Sequence, residues 1–465
     1  MHDSNATRER GLGFWMCTAL VVGNMIGSGI FLLPAAIAPY GMNSVLAWLI
    51  TAAGALFLAV VYAALGRAFP TSCGPYDYTR IAFGELAGFI VAWGYWISIW
   101  VGNAAIATGA VSYLSDLYPA IGTQPTSAFA TVGVIWVLTG VNVWGTRAAG
   151  SVQMVTTVLK VLPLIAIAGL GVFLFFTHNQ ALQPALHAPA HFHVSAVTAA
   201  ATLTLFALLG LESATVPAGK IENPETTIPR VTMLGTFLTA ALYVLSCTSV
   251  LLLIPSATLA QSHAPFADVA RMFWGDAAAK SIALFAAVSG FGALNGWILL
   301  QGELPFHMAK QGMFPQLFAR ESSRRTPAIS ICIGSVLVTI LIGMNSSKSM
   351  VDVFSFVILL STAATLVMYL LCALAVLKLL KTGELPASSS RVKWLAFVAV
   401  VSTIYSLWAI AGAGISVDPT LCGRQLICWA PWLSNPAILC IVLLGSGVPV
   451  YYMMRRRRMQ VVAAV

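Results

Sequence analysis

Apolar runs of about 20 residues, the length that crosses a bilayer as a helix, recur along the whole of this 465-residue chain. No other feature constrains the fold as much. Inside lipid every backbone polar group must be satisfied by the element itself, which leaves helices or a closed barrel. Barrel strands would read as short alternating segments, whereas these runs are continuous. Only 8% of residues are charged and 59% are hydrophobic, against about 25% charged in soluble domains. The sequence predicts an all-α polytopic membrane protein with twelve spans, near 13–38, 44–66, 84–114, 126–143, 153–176, 194–218, 230–254, 279–306, 328–344, 352–377, 394–415 and 432–453.

The first run follows Arg8 and Arg10 and contains an Ala-x-Ala triplet, Ala36 to Ala38, as a secretory signal would. It is too long for a signal core, and the triplet reads instead as the outer end of helix one. With the N-terminus inside, the inner segments hold most of the basic residues, from Arg67 and Arg80 to the tetra-arginine Arg455–Arg458. The outer loops hold only Arg271, Lys280, Lys348 and Arg424. By the positive-inside rule both termini are cytoplasmic. The net charge of +9 therefore reflects topology, and the arginine run is read as an anchor facing anionic lipid rather than a nucleic-acid site. Most of the eight cysteines lie within spans; Cys422 and Cys428 share an outer loop, and spacing alone does not decide whether they pair.

Two spans weaken their own backbone. "GNMIGSGIFLLP" (23–34) sets three glycines within seven residues of the first span, and "LFALLGLESATVPAG" (205–219) sets Gly210, Glu212, Pro217 and Gly219 in the sixth. Glycine costs about 1 kcal/mol against alanine within a helix, and bare backbone is tolerated in a membrane only where it lines a protein cavity. Breaks at matching places in two halves point to a transporter site on inverted repeats. Residues 13–176 and 194–377 would form the repeats, 394–453 would be accessory, and 1–12 and 454–465 would be tails. Apart from these breaks, no direct repetition between the halves is read. Amides at 27–29 would suit a carboxylate at a half-helix start, and carbonyls freed by Gly210 would accept from an α-ammonium. The competing reading is close helix packing through small residues, Gly23 and Gly27 having that spacing.

Few polar groups lie deep enough to matter. Glu212 stands where an acidic side chain costs about 2.5–3.5 kcal/mol on insertion scales; it is read as exchanging a proton, against a purely structural bond to broken backbone. Lys160 is read either as snorkelling to the inner interface or as a cation bridging helices one, five and eight. Trp297, beside Asn295 and Gly296, is read as a site floor; Asn103 needs a partner; Tyr95 and Trp96 are read as packing, and Glu303 and His307 as a wet inner end. The histidines of "HAPAHFH" (187–193) have no adjacent acid or cysteine, so no metal is assigned. No Walker loop, zincin helix or nucleophile elbow occurs, and no cofactor is expected.

"GNMIGSGIFLLPA" (23–35), "YWISIWVGNAAIA" (95–107), "LTLFALLGLESATVPAGKIENPETTIPR" (203–230) and "GALNGWILLQG" (292–302) resemble the amino acid–polyamine–organocation superfamily, and within it the bacterial basic amino acid/polyamine antiporters, over about residues 12–415. The resemblance implies a LeuT-type 5+5 inverted repeat with helices 1 and 6 broken, and often a homodimer. It implies a carboxylate-binding turn at Met25, Ser28 and Gly29, and a proton-sensing acid at Glu212. It implies substrate contacts at Ser98, Asn103, Phe206, Leu209, Trp297 and Ser361, and gates at Phe206 and Tyr369. Phe206 departs from the antiporters' tryptophan and offers a weaker cation–π face; Ser98 and Ile99 depart from smaller or softer residues, and Ile99 shortens the pocket. Lys160 resembles a lysine that replaces a sodium ion in some proton-coupled permeases of the superfamily.

The expectation is a secondary-active transporter, no enzyme, in a bacterial inner membrane, exchanging a basic amino acid for its decarboxylated amine in the manner of arginine/agmatine antiport. The alternatives are a proton-coupled symporter of neutral or broad-range amino acids built on Lys160, and a transporter-like amino acid receptor without turnover. The expected partners are the small-molecule substrate, the bilayer and a second copy of the chain, not nucleic acid.

Overall fold

In the computed structural model, the residues described are 13–70, 74–145, 149–177, 192–215, 221–324, 326–385, 388–416, 428–429 and 435–463. Helices stand at each of the twelve predicted places. The first is α1 (Phe14–Met25) followed by α2 (Gly29–Ile37), and then come α3 (Asn43–Ala68), the short α4 (Pro75–Phe83), α5 (Glu85–Leu117), α6 (Thr126–Trp144) and α7 (Ala149–Phe176). The second set is α8 (Val194–Ala207) with a 3-10 turn at Leu211–Ala214, α9 (Pro224–Leu253), the short α10 (Pro265–Trp274), α11 (Asp276–Lys310), α12 (Ala328–Met344) and α13 (Met350–Thr382). α14 (Ser389–Gly412) and α15 (Pro436–Ala463) complete it. Among the described residues ten helices are long and apolar enough to cross a membrane, eleven with the bent α1–α2 pair; α12, at 17 residues, is apolar but shorter. Among the described residues the only strands are β1 (Ile415–Ser416) and β2 (Cys428–Trp429), an antiparallel pair. The predicted Cys422, His187, His191, Pro217 and Gly219 lie outside the described residues.

Where boundaries differ from expectation, local chemistry gives the reason. α9 starts six residues earlier than its apolar run, because Asn223 takes a left-handed turn and Pro224 occupies the first helical position, where its missing N–H costs nothing. α15 runs through the arginines to Ala463 instead of ending in a tail at 454.

One repetition was not read from the sequence. α4 and α10 both begin at proline and carry Asp-x-x-Arg-x-x-aromatic-Gly-acid: Asp77, Arg80, Phe83, Gly84, Glu85 and Asp268, Arg271, Trp274, Gly275, Asp276. Gly84 and Gly275 share the same backbone, φ +91°, ψ −179° and φ +82°, ψ 179°, a region that only glycine enters freely. Each turns a short helix directly into a long one, α5 or α11. In both copies the arginine pairs with the acids on either side: Arg80 with Asp77 (3.1 Å) and Glu85 (3.6 Å), Arg271 with Asp268 (2.7 Å) and Asp276 (3.3 Å). The most extensive helix contacts are those of α5 with α11, of α5 with α13 and of α3 with α9; the first and last pair equivalent elements of the two sets. That core brings the two breaks together.

Candidate functional site

The first break is three residues long, Ile26 to Ser28, and bends the helix by 43°. The C-terminal carbonyls of α1 are claimed from outside: Tyr243 donates to Met25 O at 3.0 Å, and Lys160 Nζ lies 3.3 Å from Gly23 O. A cation at a helix C-terminus complements its dipole. Beyond the break, the Phe31 amide at the start of α2 donates to Ser28 O at 3.1 Å, and the amides of Gly29 and Ile30 are left without a partner within the helix. Ser28 does not cap them; its hydroxyl donates to Ile106 O at 2.6 Å and is fully buried. Ser28 therefore offers a ligand only its backbone.

The second break follows Ala207. Leu208 and Leu209 close a tight turn, Gly210 sits at φ +100°, and Leu211–Ala214 form a single 3-10 turn. The carbonyl freed by Gly210 is already used, by the amide and hydroxyl of Ser213. Among the described residues none donates to the carbonyls of Ala207, Leu208 or Leu209, so the acceptors left open lie one turn earlier than the sequence suggests. The two breaks touch: a Cβ built on Gly210 would stand 3.5 Å from the carbonyl group of Asn24.

Between them lies a cavity of about 540 Å³, mouth included. Of the predicted residues, Met25, Gly29, Ser98, Phe206, Leu209, Glu212, Trp297 and Ser361 line it, as does Ile99; Ser28, Asn103, Lys160 and Tyr369 stand behind its wall. Phe206 lies against α2, since a methyl on Gly29 would come within 2.7 Å of its ring, and packs edge-on to Phe354. Ser361 donates to Ser98 O at 2.9 Å and Thr365 to Ser98 Oγ at 2.7 Å, so α13 and α5 form one polar wall. Glu212 is fully buried and, among the described residues, is the only carboxyl lining the cavity, and no lysine, arginine or histidine lines it. The Tyr369 hydroxyl donates to Glu212 Oε2 at 2.7 Å. Tyr369 is thus bound to the carboxyl group in this conformation and fully buried.

Tyr95, read from sequence as packing, lines the cavity and is the other polar neighbour of Glu212. Its position was available from helical register: residues 95, 98, 99, 102 and 106 form one stripe of α5. Thr365, one turn after Ser361, was missed for the same reason. Lys160 does not snorkel; it is fully buried, directed at Gly23 O, with no carboxylate within 4 Å among the described residues. Glu303 and His307 pair at 3.1 Å on the exposed end of α11. Among the described residues no cluster could hold a metal ion.

The profile of the amino acid permease family matches residues 12–431. A Bacillus subtilis protein provisionally assigned as an arginine/ornithine antiporter is 33% identical over 440 residues, covering 86% of this chain and 91% of its own length. The putrescine transporter PotE of Escherichia coli is 30% identical over 405 residues (87% and 91%), and the cadaverine/lysine antiporter of the same species 34% identical over 335 residues (71% and 74%). The broken pair of helices, the cavity between them and a family match along nearly the whole chain agree: the chain belongs to the amino acid permease family and is an integral membrane protein.

Proposed function

We propose that this protein exchanges a basic amino acid for its decarboxylated amine by alternating access around the cavity between the breaks. The observation that carries the reading is electrostatic. Among the described residues one buried acid, Glu212, faces the cavity and no basic side chain does, so a cationic substrate meets attraction without repulsion. Open amides at the start of α2 suit its carboxylate, and open carbonyls at Ala207–Leu209 suit its α-ammonium. Trp297 and Phe206 supply aromatic faces for the distal cation. Names of relatives that handle arginine and ornithine, putrescine, or cadaverine and lysine support the same substrate class. Glu212 would take up and release a proton as substrate leaves and enters, with Tyr369 and Tyr95 as its partners. The distribution of basic residues supports cytoplasmic termini in a bacterial inner membrane.

Purified protein in proteoliposomes tests this directly. Liposomes preloaded with arginine, lysine, ornithine, agmatine, cadaverine or putrescine should drive counterflow of labelled basic amino acid, and empty liposomes should not. Uptake into empty liposomes that follows a pH gradient and favours leucine would instead establish proton-coupled symport. One observation favours that second reading: Lys160 places an ammonium at the carbonyl end of α1, where a bound cation would otherwise sit.

A further inference from the structure

Behind the cavity wall, fully buried Gln301 on α11 joins four helices through its amide. Its Nε2 donates to Ile331 O and to Ser335 Oγ, both at 3.0 Å, and Ser335 in turn bonds Thr139 of α6 at 2.6 Å. Ile331 O is a carbonyl and can only accept, so the Gln301 amide has one permitted orientation. Its Oε1 is thereby turned toward α5, where Asn103 Nδ2 donates to it at 2.8 Å. The consequence falls on Asn103. With its only donor group engaged, its Oδ1 remains buried and without a partner, a condition that costs about 1–3 kcal/mol and calls for an explanation. Asn103 stands directly behind the cavity stripe of α5: Ile99, Gly102 and Ile106, four residues before, one before and three after, all line the cavity. Gln301 likewise follows Trp297 by one turn of α11.

We propose that Gln301 is a positioning residue that locks Asn103 as a hydrogen-bond acceptor and so selects substrates whose far end is donor-only, an ammonium or guanidinium. An asparagine free to rotate would present its NH₂ group as readily as its oxygen and would repel such a head. The locked amide cannot. This inference rests on the cationic-substrate reading above.

The test is counterflow in proteoliposomes, using whichever of lysine, ornithine and arginine the wild type exchanges, with norleucine as the uncharged competitor. Gln301→Met removes the lock at similar volume. It should raise KM for the cationic amino acid about tenfold or more, the worth of one charge-assisted bond, with the maximal rate within about twofold and norleucine inhibition unchanged. Gln301→Glu is the rescue: as a protonated acid its O–H replaces the donor to Ile331 O and its carbonyl still accepts from Asn103, so wild-type discrimination should return. In an Asn103→Leu background, Gln301→Met should add nothing further. Equal losses for lysine and norleucine, an effect that persists without Asn103, or failure of folded Gln301→Glu to discriminate would each overturn the proposal; the last applies even if the methionine variant does not fold. A wild type that exchanges no cationic amino acid would overturn the functional reading instead.

Discussion

At the scale of single residues, Glu212 and Lys160 are, among the described residues, the acidic and the basic side chain fully buried among the transmembrane helices, and they are held differently. Glu212 accepts one hydroxyl and leaves Oε1 without a partner; Lys160 meets one carbonyl. Glu212→Gln keeps the shape and the acceptor for Tyr369 but cannot exchange a proton. It should flatten the pH profile of initial exchange rates while substrate binding persists; an unchanged profile would remove Glu212 from proton handling. Lys160→Met leaves Gly23 O unsatisfied but no stranded charge, so the fold should survive, as a single size-exclusion peak would show. If the cation holds the α1 terminus during the cycle, transport should fall at least about tenfold. Composition and position sufficed to find both residues, because charge in an apolar span is conspicuous. The direction of a small hydroxyl is not conspicuous. Ser28 reads identically whether it faces a ligand or, as it does, the Ile106 carbonyl. Tyr95 was legible in principle, since its spacing from Ser98 and Ile99 places it on the cavity stripe, but an aromatic residue in a span is most often packing.

At the scale of elements, both breaks were legible because glycine and proline mark backbone directly. Their hydrogen bonding was not, since it depends on which neighbours reach in: Tyr243 to Met25 O, Ser213 to Gly210 O. Gly210 is the position where the backbone itself demands glycine, at φ +100° and against Asn24. Gly210→Ala should cost about 1–2 kcal/mol and push the breaks apart, lowering both the melting temperature and substrate affinity. Gly29→Ala separates the two effects: its φ is not in the left-handed region, but the new methyl would meet the Phe206 ring at 2.7 Å. That variant should retain stability and weaken substrate binding by displacing Phe206, a split measurable by substrate-induced thermal shift. The α4/α10 repetition escaped notice for a different reason. It occupies nine residues between spans, where hydropathy carries no signal, and its leading prolines are offset by one position.

At the scale of the molecule, the twin motifs differ in how far their arginines reach. Arg271 reaches beyond its own segment to Asp116, at the end of α5, with two bonds of 2.8 Å, whereas the ion-pair partners of Arg80 among the described residues are Asp77 and Glu85 in its own segment. The clasp ties α10, in the second set of helices, to α5, in the first. An alternating-access cycle needs contacts of this kind to form at one end of the molecule while they open at the other, and a tie present in one state biases the equilibrium by its differential energy. Asp116 is mostly buried and Arg271 about a third exposed, so the tie is worth on the order of 1 kcal/mol rather than several. Asp116→Asn and Arg271→Gln should therefore each shift the conformational balance only a few-fold. In oriented proteoliposomes the shift would appear as opposite changes in KM at the two faces, with little change in melting temperature. The double variant should shift no further than either single one, because both remove the same bond. Additive shifts would mean that Asp268 and Asp276, the other acids on Arg271, hold the conformation and that the tie to Asp116 does not.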